Sequence, residues 1–155
     1  MRDGKAGPDA AGDPYHLDRF VIAQDSGGTY QRALAELRAG RKTSHWMWFI
    51  FPQVAGLGFS AMAQRYAISG LDEARAYLGH PVLGPRLREC TAAIAAIDDS
   101  TADRILGPVD AMKLRSCMTL FAAAAPTEPA FTAVLAQYFD GEPDQATLDR
   151  LASNG

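Results

Sequence analysis

Hydrophobic residues recur along this chain at helical spacing and almost nowhere at strand spacing. The cleanest stripe is Leu83, Leu87, Cys90, Ile94 and Ile97, at intervals of 4, 3, 4 and 3. It predicts an amphipathic helix entered through Pro81. Leu17, Phe20, Val21 and Gln24 mark a short first helix that stops before Ser26-Gly-Gly28. Tyr30, Leu34 and Leu37 share one face over residues 30–39, with Thr29 as N-cap and Gly40 as stop. Ser60 and Ser69 are placed to cap helices running to Tyr66 and Leu78, and Ser100-x-x-Asp103 has the form of a capping box. Pro108 opens the longest helix, which passes through an alanine tract to Pro126 with Val109, Met112, Cys117, Leu120 and Phe121 on its expected buried side. Phe131, Leu135, Tyr138 and Phe139 predict another that stops at Gly141, and Asp144 caps a last one carrying Leu148 and Leu151.

Residues 46–51 are the ambiguous stretch, with two Trp and two Phe among six positions. Aromatic residues suit a buried strand, but no second strand-like run is present to pair with it, and a lone strand leaves its backbone groups unmet. A short helix from Ser44, ended by Pro52, is the better expectation, with Gly56-Leu-Gly58 as a turn. The pattern predicts an all-α fold: one domain over residues 14–152, of about eight to ten short helices. A Gly-, Asp- and Ala-rich disordered tail is expected over residues 1–13.

A chain of 155 residues is long enough for one self-sufficient core, and its 48% apolar and 21% charged content is that of a globular protein. The net charge of −3 argues against general nucleic-acid binding. The apolar runs at residues 46–52 and 120–126 are too short to cross a bilayer, and the start has no apolar signal segment. Cys90 and Cys117 are expected as free thiols in a reducing, cytoplasmic setting. His16, His45 and His80 are scattered and neither cysteine sits in a ligand pair, so no metal site is expected. Gly56-Leu-Gly58 is too short for a phosphate loop, and no cofactor is implied.

Candidate chemistry gathers at two places. Lysine is scarce, only Lys5, Lys42 and Lys113 against twelve arginines, and two of the three flank marked segments. Lys42, Ser44 and His45 precede Trp46 and Trp48, and Gln53 follows them; Asp110, Lys113, Ser116 and Cys117 recur at helical spacing. If the two groups meet, an imidazole, ammonium groups and a carboxylate would converge beside indole rings. That combination suits a small anionic or nucleotide-like ligand. The same set could serve a hydrolase or transferase acting on a nucleotide-like or phosphorylated compound, with His45 or Asp110 as base and Lys113 as charge stabiliser. Cys117 as a nucleophile would need His45 nearby. A purely structural or interaction domain is the third reading, with the tryptophans filling the core and Asp110–Lys113 fixing helix packing.

Several blocks together carry a resemblance. They are Tyr30-x-x-Ala-Leu-x-Glu36, Gly40-Arg-Lys-Thr-Ser-His-Trp-Met-Trp-Phe-Ile-Phe-Pro-Gln53, Gly56-Leu-Gly58, Asp72-Glu-Ala-x-x-Tyr-Leu-x-His-Pro81, Leu83-Gly-x-Arg-Leu87, and Asp110-x-x-Lys-Leu-x-Ser116 leading into Thr119-Leu-Phe121. In this order the chain resembles the small bacterial family known as domain of unknown function 1810. The resemblance implies an all-helical fold over roughly residues 15–150 and no particular activity. Some similar proteins carry the label calpastatin, but nothing in this acidic, globular chain supports protease inhibition.

Overall fold

A computed structural model describes residues 12–154, and α-helix is their regular element. In chain order the helices are α1 (Asp18–Asp25), α2 (Thr29–Arg38), α3 (Met47–Ile50), α4 (Ala61–Arg65), α5 (Leu71–Gly79), α6 (Leu83–Ala95), α7 (Ala102–Leu106), α8 (Pro108–Ala124), α9 (Pro129–Phe139) and α10 (Gln145–Asn154). A single 3-10 turn, Ser26–Gly28, links α1 to α2. The all-α expectation holds. The expected tail falls mostly outside the described residues, but Asp13 lies within them and its carboxylate accepts the backbone N–H groups of Leu17 and Asp18.

Helix α8 is the hub. It packs against α5, α7, α9 and α10, while α6 packs against α2, α5 and α9, and α1 lies on α2 and α3. A helix surrounded on several sides must be apolar on several sides, and Leu114, Cys117, Met118, Leu120 and Phe121 are fully enclosed. The stripe read from α6 is buried as expected at Leu83, Leu87, Cys90 and Ile94, with Ile97 partly covered. No helix of the described residues is long and apolar enough to cross a membrane.

Corrections are local. The cap of α2 is Gly28, in the left-handed conformation at φ 70, and Thr29 instead donates its hydroxyl to Ser26. Gly70, not Ser69, precedes α5. Thr101, not Ser100, caps α7, by accepting from the Arg104 N–H. Ser60 and Asp144 do cap α4 and α10. The largest departure concerns α8, where Val109 and Met112 are 68% and 66% exposed. Ala111 and Leu114 take the inward positions of that first turn, and α7 packs on the same helix.

The aromatic segment forms one helical turn, α3, three residues later than expected. What fixes it is Glu36. This carboxylate, on the inward face of α2, accepts the backbone N–H groups of Thr43 and Ser44 (2.8 and 3.0 Å), the Ser44 hydroxyl (2.6 Å) and the Trp46 indole N–H (2.9 Å). Burial alone would raise its pKa, but the hydrogen bonds from Ser44, Thr43 and Trp46 outweigh it and hold the group at about 2. Trp46, thus anchored, is completely enclosed and packs on Phe51. Beyond α3 the chain does find a partner: Ala55 donates to Ile68 and Ile68 to Gln53, an isolated parallel bridge between Val54 and Ile68.

Two consequences can be measured. Glu36 is held below its ordinary value of 4.5, so its contribution is complete above that pH and disappears as the pH falls towards 2. Urea titrations of Glu36→Gln should show a loss of about 3 kcal/mol at neutral pH that shrinks to nothing near pH 2; equal losses at both pH values would contradict this account. The second concerns the α5–α6 corner, where a Cβ on Gly84 would stand 2.1 Å from the Leu78 carbonyl oxygen. Because backbone must yield, Gly84→Ala should lower stability by about 1–3 kcal/mol, despite the better helix propensity of alanine.

Candidate functional site

The one-turn helix α3 separates its two tryptophans. Positions two apart do not share a helix face, so Trp46 enters the core while Trp48 is only half-buried. Each indole has a lysine over its ring: Lys42 Nζ lies 5.1 Å from Trp46 and Lys113 Nζ 5.2 Å from Trp48. Both ammonium groups meet one carboxylate, Asp110, at 3.0 Å from Lys42 and 3.4 Å from Lys113. Lys42 is the inner member, 10% exposed, and its backbone N–H donates to Ile105. Lys113 is the outer one, 25% exposed. The indole-bearing turn and the lysine-bearing helix therefore do fold together.

Between them lies a groove of about 440 Å³. Trp48, Gln53 and Lys113 line it, with Ser116 and Asp144 at the α8–α10 end and Phe59, Val109 and Met112 at the rim. Those rim residues are the large exposed apolar side chains of this region, Phe59 at 82%. Asp144 is already engaged: it accepts from Ser116 (3.0 Å) and from the Thr147 N–H and hydroxyl (3.1 and 2.5 Å), which joins α10 to α8. Ser116 is thereby a joint between helices as much as a wall of the groove.

A smaller chamber of about 230 Å³ adjoins the groove. Trp48, Gln53, Gly58 and Ala63 line both spaces; Val54 and Tyr66 belong to the chamber. The back of the chamber is fixed by Arg19, whose guanidinium donates to the Arg65 and Ala67 carbonyls at 2.9 and 2.8 Å and pairs with the buried Glu73 at 3.1 Å. Above Gly56, which has φ +96, lies the Arg150 guanidinium, 2.2 Å from where a Cβ would stand; Arg150 Nε also donates to the Ala55 carbonyl.

Of the residues singled out from the sequence, Trp48, Gln53, Lys113 and Ser116 line the groove, and Asp110 holds Lys113 beside it. Ser44 and Trp46 turn to Glu36, and Lys42 lies over Trp46. His45 is exposed, lines neither space and has no hydrogen bond among the described residues. Cys117 is fully enclosed and burial pushes its thiol well above the ordinary value, which leaves no thiolate for attack. Burial likewise raises Cys90 to about 12, and both cysteines are free. The described residues hold no cluster of three His, Cys, Asp or Glu side chains able to bind a metal. Phe59, Val109, Met112, Val54 and Tyr66 are missing from the sequence-derived set. Val109 and Met112 look like core residues by periodicity, Phe59 follows the Gly56-Leu-Gly58 turn and has no period, and nothing in the sequence tells a hydroxyl or a peptide unit that it will face a cavity.

Comparison with known proteins agrees with this architecture and assigns no activity. A search of curated proteins gave no match. The crystal structure of the conserved hypothetical protein Rv1873 from Mycobacterium tuberculosis is similar, with 51% sequence identity, a TM-score of 0.87, and coverage of 90% of this chain and 99% of that one. A family model described as "Protein of unknown function (DUF1810)" matches residues 14–151, nearly the whole of the helical domain. The chain belongs to the DUF1810 family.

Proposed function

We propose that this protein is a small-molecule-binding module whose groove takes a planar, largely apolar group against Trp48, with an anionic end directed to Lys113. The observation that carries the reading is Trp48 itself. Its ring is half-buried on an apolar groove with an ammonium 5.2 Å from its centroid, and its indole N–H has no hydrogen-bond partner among the described residues. Trp46, by contrast, is fully enclosed. Binding sites commonly combine an apolar lining with a few placed polar groups.

The charge count limits the ligand. Lys42, Asp110 and Lys113 sum to one positive charge, and Asp144 at the far end carries one negative charge of its own. A single anionic group fits this balance better than a polyphosphate, whose extra charge would find no counter-ion here. Nucleoside monophosphates and aromatic carboxylates are the compounds to try. The catalytic alternative has less support, because His45 lies outside the groove and Cys117 is sealed from it.

Titration with nucleoside monophosphates and aromatic carboxylates, followed by tryptophan emission and melting temperature, tests the reading. At tenfold excess over Kd a ligand stabilises by about 1.4 kcal/mol, a rise of about 3–6 °C for this chain length. Lys113→Met should weaken binding at least tenfold, and Trp48→Phe should remove the emission change. Silence across both compound classes would refute the proposal.

A further inference from the structure

The chamber beside the groove is lined by residues with polar groups that no described residue satisfies. Tyr66 is 6% exposed, and its hydroxyl has no hydrogen-bond partner among the described residues. Val54 is 2% exposed, yet neither its N–H nor its C=O is bonded among the described residues. The bridge geometry explains why: the bonds to Ile68 use the Gln53 carbonyl and the Ala55 N–H, so the two polar groups of Val54 sit on the opposite edge. The Gln53 side-chain amide and the Trp48 indole N–H, on half-buried residues shared with the groove, also have no partner among the described residues. Buried polar groups are nearly always paired in native proteins, and the exceptions at Tyr66 and Val54, two residues lining one cavity, mark a place where something else supplies the partners.

From these groups we propose that the chamber is the second compartment of the ligand site, shaped for an uncharged, planar head with adjacent donors and acceptors: a nucleobase or a carboxamide. This rests on the groove being a ligand site, and it deepens that reading. Three features select the class. The lining residues themselves are uncharged, and the nearest guanidinium groups, Arg150 over Gly56 and Arg19 behind the wall, are engaged with the Ala55, Arg65 and Ala67 carbonyls. The lining residues carry donors (Val54 N–H, Trp48 N–H), an acceptor (Val54 C=O), and groups that do both (the Gln53 amide and the Tyr66 hydroxyl), a mixture that suits the edge of a base better than a hydrocarbon. At about 230 Å³ the space is below the size of a whole drug-like pocket, so it holds a head group while the remainder extends past Trp48 into the groove. Gly56 and Gly58 keep the chamber's mouth narrow. Arg150 and Ala63 stand where their side chains would be.

The test uses adenine, uracil and nicotinamide, none of which carries a negative charge, against wild type, Tyr66→Phe, Gln53→Met and Lys113→Met. Binding is read by tryptophan emission and calorimetry, and unliganded melting temperature is recorded for each. At least one compound should bind wild type, Tyr66→Phe and Gln53→Met should each weaken it at least tenfold, and Lys113→Met should weaken it by a clearly smaller factor than either. Unliganded Tyr66→Phe should melt at or above wild type, since removing an unpaired buried hydroxyl costs the fold nothing. A melting temperature several degrees lower would show that the hydroxyl serves the fold and would overturn the proposal. So would failure of all three compounds, the result for a chamber that holds only water. Binding that falls with Lys113→Met and survives Tyr66→Phe would also overturn it, while leaving the groove reading intact. If the uncharged compounds bind through Tyr66 and no anionic compound responds to Lys113, the chamber stands and the anionic end of the groove reading fails.

Discussion

An anion held below the surface organises this protein. Glu36 draws four donors from Thr43, Ser44 and Trp46 onto one carboxylate, and in doing so fixes the path of the chain from α2 into α3. Desolvation works against the charge, and the donors prevail because all of them point at atoms of a single buried group. With Trp46 held inward, the next residue but one has to face elsewhere. Trp48 therefore reaches the groove because Glu36 holds its neighbour in the core.

A second layer sits outside the first. Lys42 and Lys113 each cover an indole and share Asp110, so the inner and outer cation–ring pairs are tied through one carboxylate on α8. The Lys42 N–H also reaches Ile105 on α7. The loop before α3, the short α7 and the hub helix thus share one polar network, while α5 and α9 also pack on α8 and α6 packs on both of them. Asp144 repeats the device at the other end of the groove, binding α10 to α8 through Ser116 and Thr147.

Helix existence is legible in the sequence wherever an apolar stripe runs for several turns, as in α6, or wherever proline and glycine bracket an element, as in α8. Cap identity is less legible. Thr101 and Gly70 take positions for which Ser100 and Ser69 are equally suitable by chemistry, because one residue of register decides and tertiary packing sets the register. The wrong side of α8 at Val109 and Met112 has a related cause: a hub helix is apolar nearly all round, so periodicity cannot say which apolar residue is left at the rim. Lysine scarcity does point to Lys42 and Lys113, and the two do share a partner. Glu36 gives no such signal, because a carboxylate on a helix ordinarily faces water. The Val54–Ile68 bridge is illegible for a different reason, since one pair of residues has no period.

The sharing of Asp110 separates what the site prefers from what the fold requires. Neutralising the outer ammonium, by substitution or by acylation, would leave Lys42 and Asp110 as a matched pair over Trp46, with the interior undisturbed. The charge at the groove mouth can therefore change through one position while the inner Lys42–Asp110 pair stays matched beneath it.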